Sequence, residues 1–180
     1  MSDPHPDADL GLAAARVDRA AADRRSERTE RLILSEEISF SAVLHDVAGS
    51  GDRVVIEMTS GNRHAGRVTG IGEDFLLLES TRREPVALRR ESVVALIREA
   101  PGSRPDSPVA STQLDDLLVE LAASGAKVRI VVQGGSTTTG VIREIGTDVV
   151  QVRDGSNGRS VYLTLAAIAE VSSMSMTSSS

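Results

Sequence analysis

The 180-residue chain sets 26 acidic against 20 basic side chains for a net charge of -6, has no cysteine, and holds two Phe, one Tyr and no Trp. That composition excludes disulfides and thiolate metal sites, argues against a general polyanion binder, whose affinity comes from clustered Lys and Arg, and leaves too few rings for a platform that stacks single-stranded bases. No apolar run approaches the roughly 18–20 residues of a spanning helix, and the acidic start Met-Ser-Asp-Pro-His-Pro-Asp is unlike a secretory leader, so a soluble, cytoplasmic protein is expected.

Residues 1–34 read as a loose tail and a helical arm. From Leu10 to about Arg31 the chain is rich in Ala and Arg, good helix formers, and its apolar face (Leu10, Ala14, Val17, Ala21) is mostly alanine and buries little. Lys127 is the one lysine against many arginines, a bias that points to a GC-rich bacterial genome. Ser35 before Glu36 and Glu37 is a helix start, an oxygen acceptor followed by negative charge at the positive dipole end. Phe40, Val43, Leu44 and Val47 then fall on one helical face, and Gly49-Ser50-Gly51 ends it.

Beyond Gly51 the period becomes two. Val54, Ile56 and Met58 form one face of a strand, Ser60-Gly61-Asn62 a hairpin turn, and residues 63–71 a long strand interrupted by Gly66 and Gly70, where a missing Cβ permits bending or close approach. Gly72-Glu73-Asp74 turns the chain into a strand from Phe75 to Glu79. A second hairpin over 81–84 and short strands at 86–88 and 93–97 complete the unit.

The same order then recurs about 74 residues on. Leu114, Leu117, Leu118 and Leu121 repeat the helix face, and strands are expected at 128–132, 136–145, 149–153, 161–163 and 168–171. Gly61, Gly66, Gly72 and Asp74 return as Gly135, Gly140, Gly146 and Asp148, and one inserted residue in the hairpin at 154–158 lengthens the offset to about 75 afterwards. The expected organisation is a tail and arm (1–34), a first unit (35–99), a Pro/Ser linker (100–112), a second unit (113–172) and a tail (173–180). Units of about 60 residues bury little surface on their own, so packing between copies is expected to matter.

A short amphipathic helix before five strands, the second bent at glycine, resembles the Sm-like small β-barrel, itself similar to SH3-like barrels. The residues that carry the resemblance are Val54, Ile56, Met58, Gly61, Gly66, Val68 and Ile71, and again Val128, Ile130, Val132, Gly135, Gly140, Ile142 and Ile145. The whole chain also resembles uncharacterised actinobacterial proteins with a helical arm before such a barrel. The resemblance implies a mainly β fold of two five-stranded barrels, each preceded by its helix, with fourth and fifth strands left as edges. It also shows departures. RNA-binding members carry an Asp and an Asn where this chain has Gly72 and Leu76, then Gly146 and Val150; their later Arg-Gly pair is Arg89-Arg90 in the first copy and Thr164-Leu165 in the second.

No residue set carries recognisable catalytic chemistry. Asp74 and Asp148 are the only aspartates that recur as aspartate, and each follows a glycine turn at a strand entry, where Asp caps the turn with its own side chain. His5, His45 and His64 are scattered without metal-ligand spacing and are expected at the surface. Arg63, Arg67, Arg82, Arg83, Arg89 and Arg90 form the best candidate phosphate-binding patch, but acids are interleaved with them. The expectation is therefore a non-enzymatic interaction or assembly module without cofactor or metal, which meets a protein partner or itself through barrel edges, with 93–97 or 161–163 covered. The alternative is an RNA-binding regulator using the first barrel's arginines.

Overall fold

The computed structural model describes residues 39–80, 85–102 and 111–174. The helical arm, residues 35–37, the hairpin at 81–84, most of the linker and the last tail residues lie outside them; the helix expected to start at Ser35 begins at Phe40 instead, where the Ser39 hydroxyl accepts the Ala42 N–H at 3.1 Å. The chain divides into two compact units, Met1–Val43 and Leu44–Ser180; a helix, α1 (Phe40–Ser50), begins in the first, and the sheet lies wholly in the second.

The first half of the sheet is β1 (Arg53–Met58), β2 (Arg63–Ile71), β3 (Phe75–Ser80), β4 (Pro85–Arg89) and, after a 3-10 turn at Arg90–Ser92, β5 (Val93–Ala100). Helix α2 (Leu114–Ser124) opens the second half, followed by β6 (Lys127–Val132), β7 (Thr137–Ile145), β8 (Val149–Asp154), β9 (Ser160–Thr164), a 3-10 turn at Leu165–Ala167 and β10 (Ile168–Ser173). Each half has the expected strands; most are one to three residues longer than expected, while β2 keeps the expected bounds and β7 begins one residue later. The ten strands form one antiparallel sheet in the order β5-β1-β2-β3-β4-β10-β6-β7-β8-β9. The expectation of two separate barrels is met only in its coarser part: the fold is mainly β with two described helices, and the pairing runs open from β5 to β9 instead of closing around each half.

The repeat extends to backbone detail. Gly61 and Gly135 occupy the same turn at φ of +84° and +81°, a region that only a residue without Cβ enters freely. Their N–H groups donate to the carbonyls of Met58 and Val132. Strand β2 is paired on both sides at Gly66, opposite Val54 and Ser80, and β7 likewise at Gly140, opposite Val128 and Asp154. A register shift follows at corresponding places, between Val68 and Gly70 and between Ile142 and Glu144. Such a bulge bends and twists the strand.

Helix α2 is set by local chemistry and by burial. Gln113 and Asp116 form a reciprocal capping box at its start, and Gly125 ends it in the left-handed region. Its inward face places Leu114 and Leu118, both fully buried, against Val128, Ile130, Ile142, Val150 and Val152. Each such leucine contributes about 2 kcal/mol by leaving water. Phe75 and Ala87 of the first half belong to this same core, so the halves share buried surface.

A Cβ at Gly66 would stand 2.2 Å from the Glu79 carbonyl oxygen, and one at Gly140 2.0 Å from that of Arg153. Both obstacles are backbone within a paired strand and cannot rotate away. Gly66→Val and Gly140→Val are each expected to cost about 3 kcal/mol or more, measured by urea unfolding. Gly49→Ala, where the new methyl meets open space, should be neutral or stabilising by up to about 1 kcal/mol. Wild-type stability in both valine variants would contradict this placement.

Candidate functional site

The feature that distinguishes the halves is the seam where they join. Strand β10 lies between β4 and β6, with Glu170, Val171 and Ser172 opposite Leu88, Ala87 and Val86 on one side and Val131, Ile130 and Arg129 on the other. In the middle of this apolar strand stands Glu170, its side chain only 4% exposed. A carboxylate taken from water is costly unless its lone pairs are filled, and here they are. Asn62 Nδ2 donates to Oε1 and Oε2 at 3.1 and 3.0 Å, His64 Nε2 lies 2.9 Å from Oε2, and the Ser60 hydroxyl donates to Oε1.

All three partners come from the β1–β2 hairpin of the other half. Burial pushes the Glu170 carboxyl up, but the hydrogen bonds from His64, Ser60 and Asn62, with the imidazole's charge, outweigh it and hold the pKa below the ordinary glutamate range. Above the cluster opens a cleft of about 320 Å³, lined by Arg63, Ser80, Val86, Arg129 and Ser172 among others.

A second set of polar contacts closes the seam beside the 3-10 turn at Leu165–Ala167. Arg89 donates from Nε to the Ile168 carbonyl (2.9 Å), from Nη2 to the Leu165 carbonyl (3.2 Å), and from Nη1 to Asp74 Oδ2 (3.0 Å). The other oxygen of Asp74 accepts the Leu114 N–H at 2.8 Å, at the start of α2. One carboxylate thus holds both the arginine of its own half and a free helix donor of the other.

These positions revise several expectations. Asp74 does not cap its own turn through its side chain; it caps α2 across the seam, and its backbone carbonyl accepts the Arg90 N–H. Asp148 repeats only the backbone contact, to the Leu165 N–H. Gly72, expected as a turn residue, lies against the ring of Phe75 and the Thr112 carbonyl, while Gly146 faces only Val149. His64 is not a surface histidine, its side chain being 20% exposed and bound to Glu170.

Nor do the arginines converge. Arg63 is exposed and ion-paired with Glu57 at 3.1 Å; Arg67 is exposed on β2, opposite Glu79; Arg90 begins a 3-10 turn; Arg89 is turned into the seam, 13% exposed; Arg82 and Arg83 lie outside the described residues.

Sequence reasoning passed over Glu170. Its signal is a departure from the repeat: the corresponding residue of β5 is Ala95. Chemically, the cluster contains a hydroxyl, an imidazole and a carboxylate, but the first two both spend themselves on the third. A nucleophile is activated by contact between hydroxyl and base, and here each is bound to Glu170 instead. Among the described residues no group of three or more His, Asp or Glu side chains is arranged to hold a metal ion, and no helix is long and apolar enough to cross a membrane. No protein-family model matches the chain, and no curated protein matches it.

Because the folded carboxyl of Glu170 titrates below its unfolded value, its contribution is complete above the ordinary glutamate range and is lost as pH falls through the lowered folded value. Glu170→Gln is expected to lower stability by about 2 kcal/mol at neutral pH, the scale of charge-assisted hydrogen bonds. The gap to wild type should close on acidification below about pH 4. Urea unfolding of both proteins across that range measures it, and parallel pH profiles would contradict the assignment.

Proposed function

We propose that the chain is a non-enzymatic assembly module of two Sm-like halves, acting in the cytoplasm, that associates with further copies of itself through β5 and β9. The observation that carries this reading is the seam itself, in which the fourth strand of one half pairs with the fifth strand of the other. The strands left over are the complementary pair: β5 is the fifth strand of the first half and β9 the fourth of the second. Each has one paired neighbour and one bare edge, and a bare edge is a template for pairing.

Burial supports the same reading. Strand β10, covered by β4, buries Ala169 completely, whereas the corresponding Val94 of uncovered β5 is 65% exposed. On the fourth strands, Ala87 is 3% exposed and its counterpart Tyr162 66%. By the pairing inside the chain, a β5–β9 joint would set Ala95, Leu96 and Ile97 opposite Leu163, Tyr162 and Val161. This is a head-to-tail contact, and repetition of such a contact gives a ring or a filament. The expected cover over 93–97 or 161–163 is thus assigned to a second chain, since within the chain the covered strands are β4 and β10.

Nothing favours RNA as the main ligand. Arg89, the surviving family position, is occupied in the seam, and the remaining arginines offer only phosphate attraction. Sedimentation is expected to show concentration-dependent association of the wild type, abolished by Tyr162→Lys or Ile97→Lys. Those positions are exposed, so the monomer should melt as wild type does. RNA affinity is expected to be no tighter than about micromolar near physiological salt and to fall steeply as salt rises. A wild type that stays monomeric would refute self-association; nanomolar, sequence-selective RNA binding would replace it with the RNA-regulator reading.

A further inference from the structure

We propose that Ser60, Asn62, His64 and Glu170 form a joint-specific lock that makes β4 choose β10 of its own chain, and so fixes which strands remain for contact between chains. The inference rests on the self-association reading above and adds the rule that governs it. Two fourth strands and two fifth strands of matching backbone allow four joints: β4 with β10, β9 with β5 of another copy, and the two crossed pairings, β4 with β5 and β9 with β10. Ladder hydrogen bonds alone do not distinguish them, because over the residues that pair, 86–88 in β4 and 161–163 in β9, the strands offer the same N–H and C=O groups.

The side chains do distinguish them. On the second half, the positions corresponding to Ser60, Asn62 and His64 are Gly134, Ser136 and Thr138, and on the first half the position corresponding to Glu170 is Ala95. In the β4–β10 joint the carboxylate meets its three donors. In a β5–β9 joint Ala95 meets small residues, and no charge is buried. Both crossed joints are mismatched. Pairing β9 with β10 buries Glu170 without Asn62 or His64, and pairing β4 with β5 leaves the hairpin donors facing a methyl group. A buried polar group without its partner costs far more than a satisfied one contributes, so the crossed joints are penalised from either side, as specificity by mismatch requires. Chains therefore add to one another in a single direction, through β9 and β5, without exchanging halves.

The test exchanges the two chemistries. An unlocked chain carries Ser60→Gly, Asn62→Ser, His64→Thr and Glu170→Ala, which replaces the Glu170 cluster of the internal seam by the residues at the corresponding outer positions, keeps Arg89 and Asp74 in place, and leaves no orphaned charge. Sedimentation at equal concentration should show a broader distribution, shifted to larger species, than wild type, with faster amide exchange in β4. In the converse pair, Ala95→Glu alone should weaken or prevent association, whereas Ala95→Glu with Gly134→Ser, Ser136→Asn and Thr138→His should associate about tenfold or more tightly than the single variant, the scale of a satisfied buried carboxylate.

An unlocked chain that sediments and exchanges like wild type would overturn the lock, and so would a fourfold variant no tighter than Ala95→Glu. Should the unlocked chain fail to fold, the converse pair decides. A monomeric wild type would overturn the self-association reading instead, and the sedimentation and β4 amide exchange of the unlocked chain would still report on the lock.

Discussion

The antiparallel pairing of β4 with β10 is the contact on which the rest of the structure depends. It joins two five-stranded halves into one sheet, brings Phe75 and Ala87 into the core beneath α2, and places the start of that helix on the turn after β2. Each half is small enough that its own apolar burial leaves little margin. Sharing a core and covering two edges at once removes more surface from water than either half does alone.

The seam is also where the repeat stops being symmetric. Hairpin turns, the glycine positions of β2 and β7, the bulges after them and the backbone contacts of both 3-10 turns recur from half to half. The polar residues of the seam do not. Glu170, the three donors around it, and the Arg89 guanidinium with its carbonyl acceptors come together only at the internal joint, where Glu170 is buried and the others are partly buried and hydrogen-bonded. A buried polar network adds little net stability over an apolar substitute, while breaking it is expensive. Its effect is therefore larger on which strands pair than on how strongly they pair, and the asymmetry gives the sheet two ends of different kind.

Much of this was legible in the chain. A period-two run over 54–58 and the turn residues after it located the first five strands, the repeat located the other five, and the helical face from Leu114 to Leu121 located α2, because periods and turns rest on neighbours within a few residues and the repeat copies them. The seam was not legible in that way. Which strand lies beside β4 depends on residues about 80 positions apart, and no local period encodes it. Glu170 reads as an ordinary charge on an edge strand until β4 is laid against it, and His64 as a surface residue until Glu170 arrives. Asp74 was recognised as structural, but its partners, Arg89 and the Leu114 N–H, come from a later strand end and from the next half. The comparison that would have exposed the site is between the copies themselves: Ala95 against Glu170, and Asn62 against Ser136, are polar departures in a pattern that is otherwise kept.

Amide hydrogen exchange across a dilution series tests the central claim most directly, since it reads each strand edge separately. The ladder amides joining β4 to β10 should exchange only through global unfolding and keep the same protection at every concentration. The outward amides of β5 and β9 should exchange fast in the dilute monomer and gain protection together as concentration rises. Fast exchange across the β4–β10 joint in the dilute protein, with the two halves otherwise protected, would contradict the account, because the halves would then be independent units and the seam an incidental contact.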